Sequence, residues 1–173
     1  DDVDVRRVCE KWLAVQAARG VRGVIMIDID DTLIDGKESV TNGFDAMRKF
    51  YVAAHERFPI HVVTARPDDD HRQVLKMLTK RGLCIPPDRL HMLPAKLYGG
   101  DLRNVEEFKW RGCQRIRDEH GGIVIARLGD KMWDVAHPET IAALDTTVHD
   151  RDCVVFFDAR QSGTLCCKLP GSS

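Results

Sequence analysis

Short blocks of β-forming apolar residues alternate along this chain with longer stretches in which apolar residues recur every three or four positions. Val24-Ile25-Met26-Ile27, Ile60-His61-Val62-Val63-Thr64 and Ile123-Val124-Ile125-Ala126 are unbroken enough to predict strands covered on both faces. Arg89 to Leu93 predicts a further strand, and residues 153–157 and 164–169 two final ones. Between them, Val5, Val8, Cys9, Trp12 and Leu13 follow the spacing of an amphipathic helix that ends near Gly20. Phe44, Met47, Phe50, Tyr51 and Ala54 mark one face of a helix from about Thr41 to Glu56. Val74, Leu75 and Leu78 mark another, whose start Asp68-Asp69-Asp70 cap with negative charge and which Gly82 closes. A helix opening at Asn104, with Glu107 in capping-box position, turns Val105, Phe108, Cys113 and Ile116 inward and stops at Gly121-Gly122. Asp35-Gly36-Lys37 reads as a turn or small hairpin, and a short helix begins at Pro138.

Strands alternating with helices imply a three-layer α/β, Rossmann-like parallel sheet with helices on both faces. The 173 residues suit one domain over 1–173, with one substantial core. In such a sheet, the carboxyl ends of the first strand, the Thr64 strand and the Ile123 strand share one edge, which is where ligands gather.

That edge is where the chemistry lies. Asp28-Ile29-Asp30-Asp31-Thr32 follows the first strand directly. A backbone leaving a strand presents positions i and i+2 on one side, so Asp28 and Asp30 can address one target. Crowded carboxylates in a partly desolvated crevice favour a bound cation or a shared proton, and both suit phosphoryl transfer. Asp28 is then the candidate nucleophile and Asp30 the candidate acid/base, with a hard cation such as Mg²⁺ screening the phosphate. Two other readings fit the same residues. Asp-rich turns often only cap free amides. The oxygen-rich run Asp30, Asp31, Asp35, Gly36 has the composition of a calcium loop, but Leu33-Ile34 interrupts it and a strand rather than a helix precedes it.

Asp28-x-Asp30-x-Thr32-Leu33 after an apolar strand resembles the first motif of the haloacid dehalogenase superfamily. Three later segments fit the same resemblance. Thr64 matches the second motif's hydroxyl, which hydrogen-bonds the phosphoryl oxygens. Gly129-Asp130-Lys131-Met132-Trp133-Asp134 is similar to the fourth motif, whose acids hold the metal. Lys109 is the better match for the third motif's lysine, with Lys96 as its rival. The resemblance runs from about Val24 to Asp134 and leaves out roughly the first and last twenty residues.

From this resemblance follow a set of expectations. Asp28 and Asp30 are catalytic; Asp28, Asp30 and Asp130 hold Mg²⁺; Thr64, Lys109 and Arg66 bind substrate; Thr32 and Asp134 stand behind them, Asp134 orienting a metal water or Lys109. The second acid, Asp30, separates phosphomonoesterases of the family from its ion pumps, which carry Thr there. The resemblance therefore implies a phosphatase working through an aspartyl-phosphate, similar to the acid-phosphatase-like branches. The stretch from Asp28 to Thr64 holds one turn and one helix, and that from Thr64 to Lys109 a helix, a strand and a loop. Neither leaves room for a cap domain. A capless site implies a bulky substrate that shields its own phosphate, such as a phosphorylated macromolecule end, or a homo-oligomer partner covering the crevice. Small phosphomonoesters and nucleotides stay open as substrates, and a fold kept as a silent binding scaffold is the alternative.

Composition narrows this little. A net charge of −1 and a pI near 6.7, with both signs mixed along the chain, give no broad polyanion-binding surface. No apolar run approaches the roughly 20 residues of a membrane span, so a soluble, cytoplasmic protein without a membrane partner is expected. The chain starts at Asp1 without Met, so a removed leader would leave no trace. Cys9, Cys84, Cys113, Cys153, Cys166 and Cys167 lack Cys-x-x-Cys spacing and read as reduced core thiols, and the adjacent Cys166 and Cys167 point to opposite faces of a strand. No His-x-x-x-His pair suggests zinc.

Overall fold

In a computed structural model, which describes residues 4–34, 45–145, 147 and 153–170, six strands form a single sheet. They are β1 (Gly23–Ile27), β2 (Ile60–Pro67), β3 (Leu90–Leu93), β4 (Ile123–Gly129), β5 (Val154–Phe157) and β6 (Leu165–Lys168), in the order β3-β2-β1-β4-β6-β5. All neighbours pair parallel except the last, where β5 runs antiparallel to β6. The Rossmann-like α/β parallel sheet expected from the sequence is thus present, with one antiparallel strand at its edge. The turn of 158–164 returns the chain directly, and so short a connection closes only an antiparallel pair.

The helices are α1 (Val5–Ala18), α2 (Asp45–His55), α3 (His71–Lys80), α4 (Leu102–His120), α5 (Met132–Val135) and α6 (Pro138–Ala143). One face of the sheet carries α1, α2 and α3: Cys9, Leu13, Met47, Phe50, Tyr51, Val74 and Leu78 pack on Ile25, Ile27, Ile60, Val62 and Leu128. The other carries α4, whose Cys113 and Ile116 meet Val24, Met26, Val63 and Val124. Each large side chain buried this way contributes about 1.5–3 kcal/mol. The alternation of β1 residues between these clusters is the two-residue period of a strand covered on both sides.

A bulge breaks that period in β4. Val24 pairs Val124 but Ile25 pairs Ala126, so Ile125 and Ala126 both turn toward the α1 face. The reversal carries Arg127 to the opposite face, among α4 and α5, where it is fully buried.

Several boundaries differ from the pattern. Asp101, not Asn104, caps α4 by accepting from the Arg103 amide at 2.9 Å. The Asp68-Asp69-Asp70 run forms a 3-10 turn without a side-chain cap; instead Asp68 Oδ1 accepts from the Ala95 amide at 3.0 Å and ties this turn to the loop after β3. Val8 lies at the solvent edge of α1, 36% exposed, while Trp12 donates Nε1–H to the Ile125 carbonyl at 2.8 Å. β2 continues beyond Thr64 to Pro67, with a register shift against β3. The turn at 35–37 and the helix start at 41–44 lie outside the described residues. No described helix is long and apolar enough to cross a membrane.

Candidate active site

The ladder between β1 and β4 runs one residue past β1, where the Asp28 amide donates to the Leu128 carbonyl at 3.0 Å. The chain then curls back on itself. The amides of Thr32, Leu33 and Ile34 all converge on the Ile29 carbonyl, at 3.2, 2.9 and 3.2 Å. This tight curl needs a left-handed residue, and Asp31 supplies it at φ 55°, a region that Asp tolerates better than most residues. Ile29, Leu33 and Ile34 are buried and pin the curl into the core, leaving the acids at its rim.

Asp28 is 9% exposed and Asp134 2%, and between them stands Lys109, 1% exposed on α4. Its Nζ lies 2.8 Å from Asp28 Oδ1, 2.8 Å from Asp134 Oδ1 and 2.5 Å from the Val63 carbonyl. One ammonium thus joins the ends of β1, β2 and β4. Asp130, 6% exposed, completes a cluster in which Asp28, Asp130 and Asp134 each offer an oxygen within 4.8 Å of the others. Asp134 reaches this point because α5 folds straight back over the strand end. A Cβ on Gly129 would lie 2.1 Å from the Asp134 Cβ, so only glycine fits there. The Asp134 carboxylate also accepts from the Lys131 amide at 3.1 Å, which closes the first turn of α5.

Three carboxylates against one ammonium leave an excess of negative charge. Burial, then the facing Asp134, hold the Asp28 pKa well above the usual carboxylate range despite Lys109. Burial and Asp134 push Asp130 up to about 6. For Lys109, burial works against the charged form, but Asp134 and Asp28 outweigh it and the pKa is raised. A hard divalent cation fits such a set: oxygen donors only, closely spaced and short of positive charge.

The expected residues fall into two groups. Asp28, Lys109, Asp130 and Asp134 form the buried cluster. Asp30 and Arg66 form a second pair beside it, bidentate, with Arg66 Nε 2.9 Å from Asp30 Oδ2 and Nη2 2.7 Å from Oδ1. Asp134, expected behind the metal acids, stands among them, whereas Asp30 turns its carboxylate to Arg66. Thr64 bridges the groups: its peptide neighbour Val63 accepts from Lys109, and its own Oγ1 accepts from the Arg66 amide at 3.1 Å. Thr32 is buried, and among the described residues its hydroxyl has no hydrogen-bond partner. Lys96 sits exposed on the 3-10 turn after β3, and it is Lys109 that pairs with Asp28. A cavity of about 450 Å³ opens beside the second pair, lined by Asp30, Ala65, Arg66, Pro67, Asp70 and Tyr98.

Arg127 and Gln161 went unnoticed in the sequence. Arg127 is buried inside a strand yet bonds the carbonyls of Trp133 and Asp134, at 3.3 and 3.0 Å, and Gln161 Oε1 at 2.8 Å. An arginine in an apolar block two residues before a Gly-Asp turn was the available signal.

No family model matches the chain, and no curated protein sequence matches it. Among solved structures, the class C acid phosphatase from Bacillus anthracis superposes with a TM-score of 0.55 at 12% identity, over 75% of this chain and 61% of that one. The chain therefore spans about three fifths of that neighbour's length. What the two share is the fold, which in this chain is a six-stranded α/β sheet with β1, the strand that leads to Asp28, between β2 and β4.

Proposed function

We propose that this protein is a Mg²⁺-dependent phosphomonoesterase that works through an aspartyl-phosphate on Asp28. The observation that carries the reading is the single Lys109 ammonium held between Asp28 and Asp134 beside Asp130, at the ends of β1 and β4. Asp28, Asp130 and Asp134 would hold the cation, which screens the negative charge of the phosphate from the Asp28 carboxylate.

Within this reading an Asp28 carboxylate oxygen attacks phosphorus and the bond to the leaving oxygen breaks. Asp30, two residues on and at the mouth of the crevice, gives that oxygen a proton. It then takes a proton from the water that attacks the phosphoryl group and frees Asp28. Lys109 keeps Asp28 oriented, and Thr64 offers its hydroxyl proton to a phosphoryl oxygen. Arg66 faces the open cavity with Asp30, so a leaving group seated there touches both. With no cap seen among the described residues, substrates extend from small phosphomonoesters and nucleotides to phosphorylated macromolecule ends, and a homo-oligomer partner is the alternative cover.

Hydrolysis of an aryl phosphate, with and without Mg²⁺, tests the reading. Turnover should require the metal and fall by about 10³-fold or more in Asp28→Asn. Cation binding without turnover on any phosphoester would instead support a silent scaffold.

A further inference from the structure

α5 is a helix of one turn, far too short to persist by itself, yet it carries Asp134 into the acid cluster. Four carbonyls at a helix end have no partner within the helix. Here all four are met. Ala136 N donates to Met132 O at 2.8 Å, Arg127 Nη2 to Trp133 O at 3.3 Å, Arg127 Nε to Asp134 O at 3.0 Å, and Gln161 Nε2 to Val135 O at 3.1 Å. Two side chains from outside the helix therefore make its C-terminal cap.

These two side chains also hold each other. Gln161 Oε1 accepts from Arg127 Nη1 at 2.8 Å, and Gln161 Nε2 reaches Asp158 Oδ2 at 2.8 Å. Asp158 in turn accepts from the amides of His137 and Arg160, both at 3.0 Å, and from the Thr140 hydroxyl at 2.8 Å. The turn between β5 and β6 is thereby bonded to the carboxyl end of the segment that bears Asp134 and, through Arg127, to the strand that leads into it. Arg127 is wholly buried, and among the described residues no carboxylate lies at ion-pair distance from it. A buried cation matched only by neutral acceptors is costly, and an apolar side chain would fill the same space more cheaply. What an apolar side chain could not do is grip two consecutive carbonyls of α5.

We propose that Arg127 and Gln161 are positioning residues for the cation and for Lys109: they fix α5 so that the Asp134 carboxylate stays on the Lys109 ammonium and inside the acid cluster. This rests on reading the cluster as a cation site, though the contact with Lys109 does not. Removing either side chain loosens Asp134 without touching the acids themselves.

The test uses the full chain carrying Gln161→Leu, with Arg127→Gln as the harsher variant. Mg²⁺ affinity is followed by calorimetry and by the rise in Tm on adding the metal, and the Lys109 ammonium protons by nitrogen-15 NMR. Gln161→Leu should bind Mg²⁺ about 10-fold or more weakly, and adding it to Asp134→Asn should weaken binding no further. The Lys109 ammonium, sheltered from solvent exchange in the parent protein, should exchange faster in Gln161→Leu. A lower metal-free Tm with Mg²⁺ affinity and ammonium exchange both unchanged would mean that the network only props the fold, and would overturn the proposal. If the parent chain binds no divalent cation, the reading of the cluster fails, and the ammonium signal alone then decides: faster exchange sustains the positioning role, unchanged exchange ends it.

Discussion

Lowering the pH from 7 to 5 should draw stability from a histidine pair that joins β2 to β3, His61 buried and His91 half-buried. Arg115 Nη2 lies 2.9 Å from His91 Nδ1, and a guanidinium can only donate, so that nitrogen accepts. His91 then donates its Nε2–H to His61 Nδ1 at 2.9 Å, which leaves the His61 proton on Nε2. A second proton on either ring would face another donor. Burial first, then the neighbouring His91 and His120, push His61 down to about 4; burial first, then Arg115, push His91 down to about 4. Asp88 and Glu119 pull the other way without cancelling this.

Histidines of the unfolded chain titrate near 6.5, so between about 6.5 and 4 the unfolded state takes up protons that the folded state refuses. Stability is lost as the pH falls through that window, by roughly 2 kcal/mol per ring at pH 5. Asp130 opposes the loss. Its folded pKa of about 6 lies above the unfolded value, so the folded state gains a proton first as the pH drops, worth roughly 1.3 kcal/mol at pH 5. Asp28 acts in the same direction. The acids offset part of the loss, so the contribution of the rings is read as a difference between two proteins. Urea denaturation at both pH values measures it directly. From pH 7 to pH 5 the parent protein should lose about 2–4 kcal/mol more stability than the His61→Gln/His91→Gln variant, in which the acids are unchanged. An equal change in parent and variant would refute the reasoning.

Lys109→Met leaves Asp28 and Asp134 facing each other in a buried site, and should cost about 3–5 kcal/mol in metal-free protein. Added Mg²⁺ should return part of that in a denaturation experiment; a variant as stable as its parent without metal would show that the ammonium does not balance these acids. Gly129→Ala drives a methyl into Asp134 and should lower stability by about 3 kcal/mol or more, with Mg²⁺-induced stabilisation lost; a normal Tm and normal metal response would show that α5 can move aside.

The alternation of apolar blocks and periodic segments was enough to reveal the α/β sheet, because strands covered on both faces and helices covered on one leave distinct periods. The reversal of β5 was legible not in its own residues but in its return, since strands at 153–157 and 164–169 leave too short a connection for a parallel pair. The pattern could not show the bulge at Ile125, which decides whether Arg127 faces α1 or α5. At the site, the strand-end acids were legible because each stands next to an element boundary, whereas Lys109, in the body of α4, was legible only through the motif resemblance. The grouping was not. Spacing puts Asp28 and Asp30 on one side of the chain, but the left-handed turn at Asp31 and the reach of Arg66 turn Asp30 away, and the close approach at Gly129 brings Asp134 in its place. Gln161 lay beyond inference, because its role depends on a turn far along the chain folding back beneath α5.

The measurement that bears most directly on the central claim is mass spectrometry of protein acid-quenched during turnover of an aryl phosphate with Mg²⁺. The peptide containing Asp28 should carry a phosphoryl group, absent in Asp28→Asn and absent without metal. Turnover that proceeds with no adduct on that peptide, and at an undiminished rate in Asp28→Asn, would contradict it.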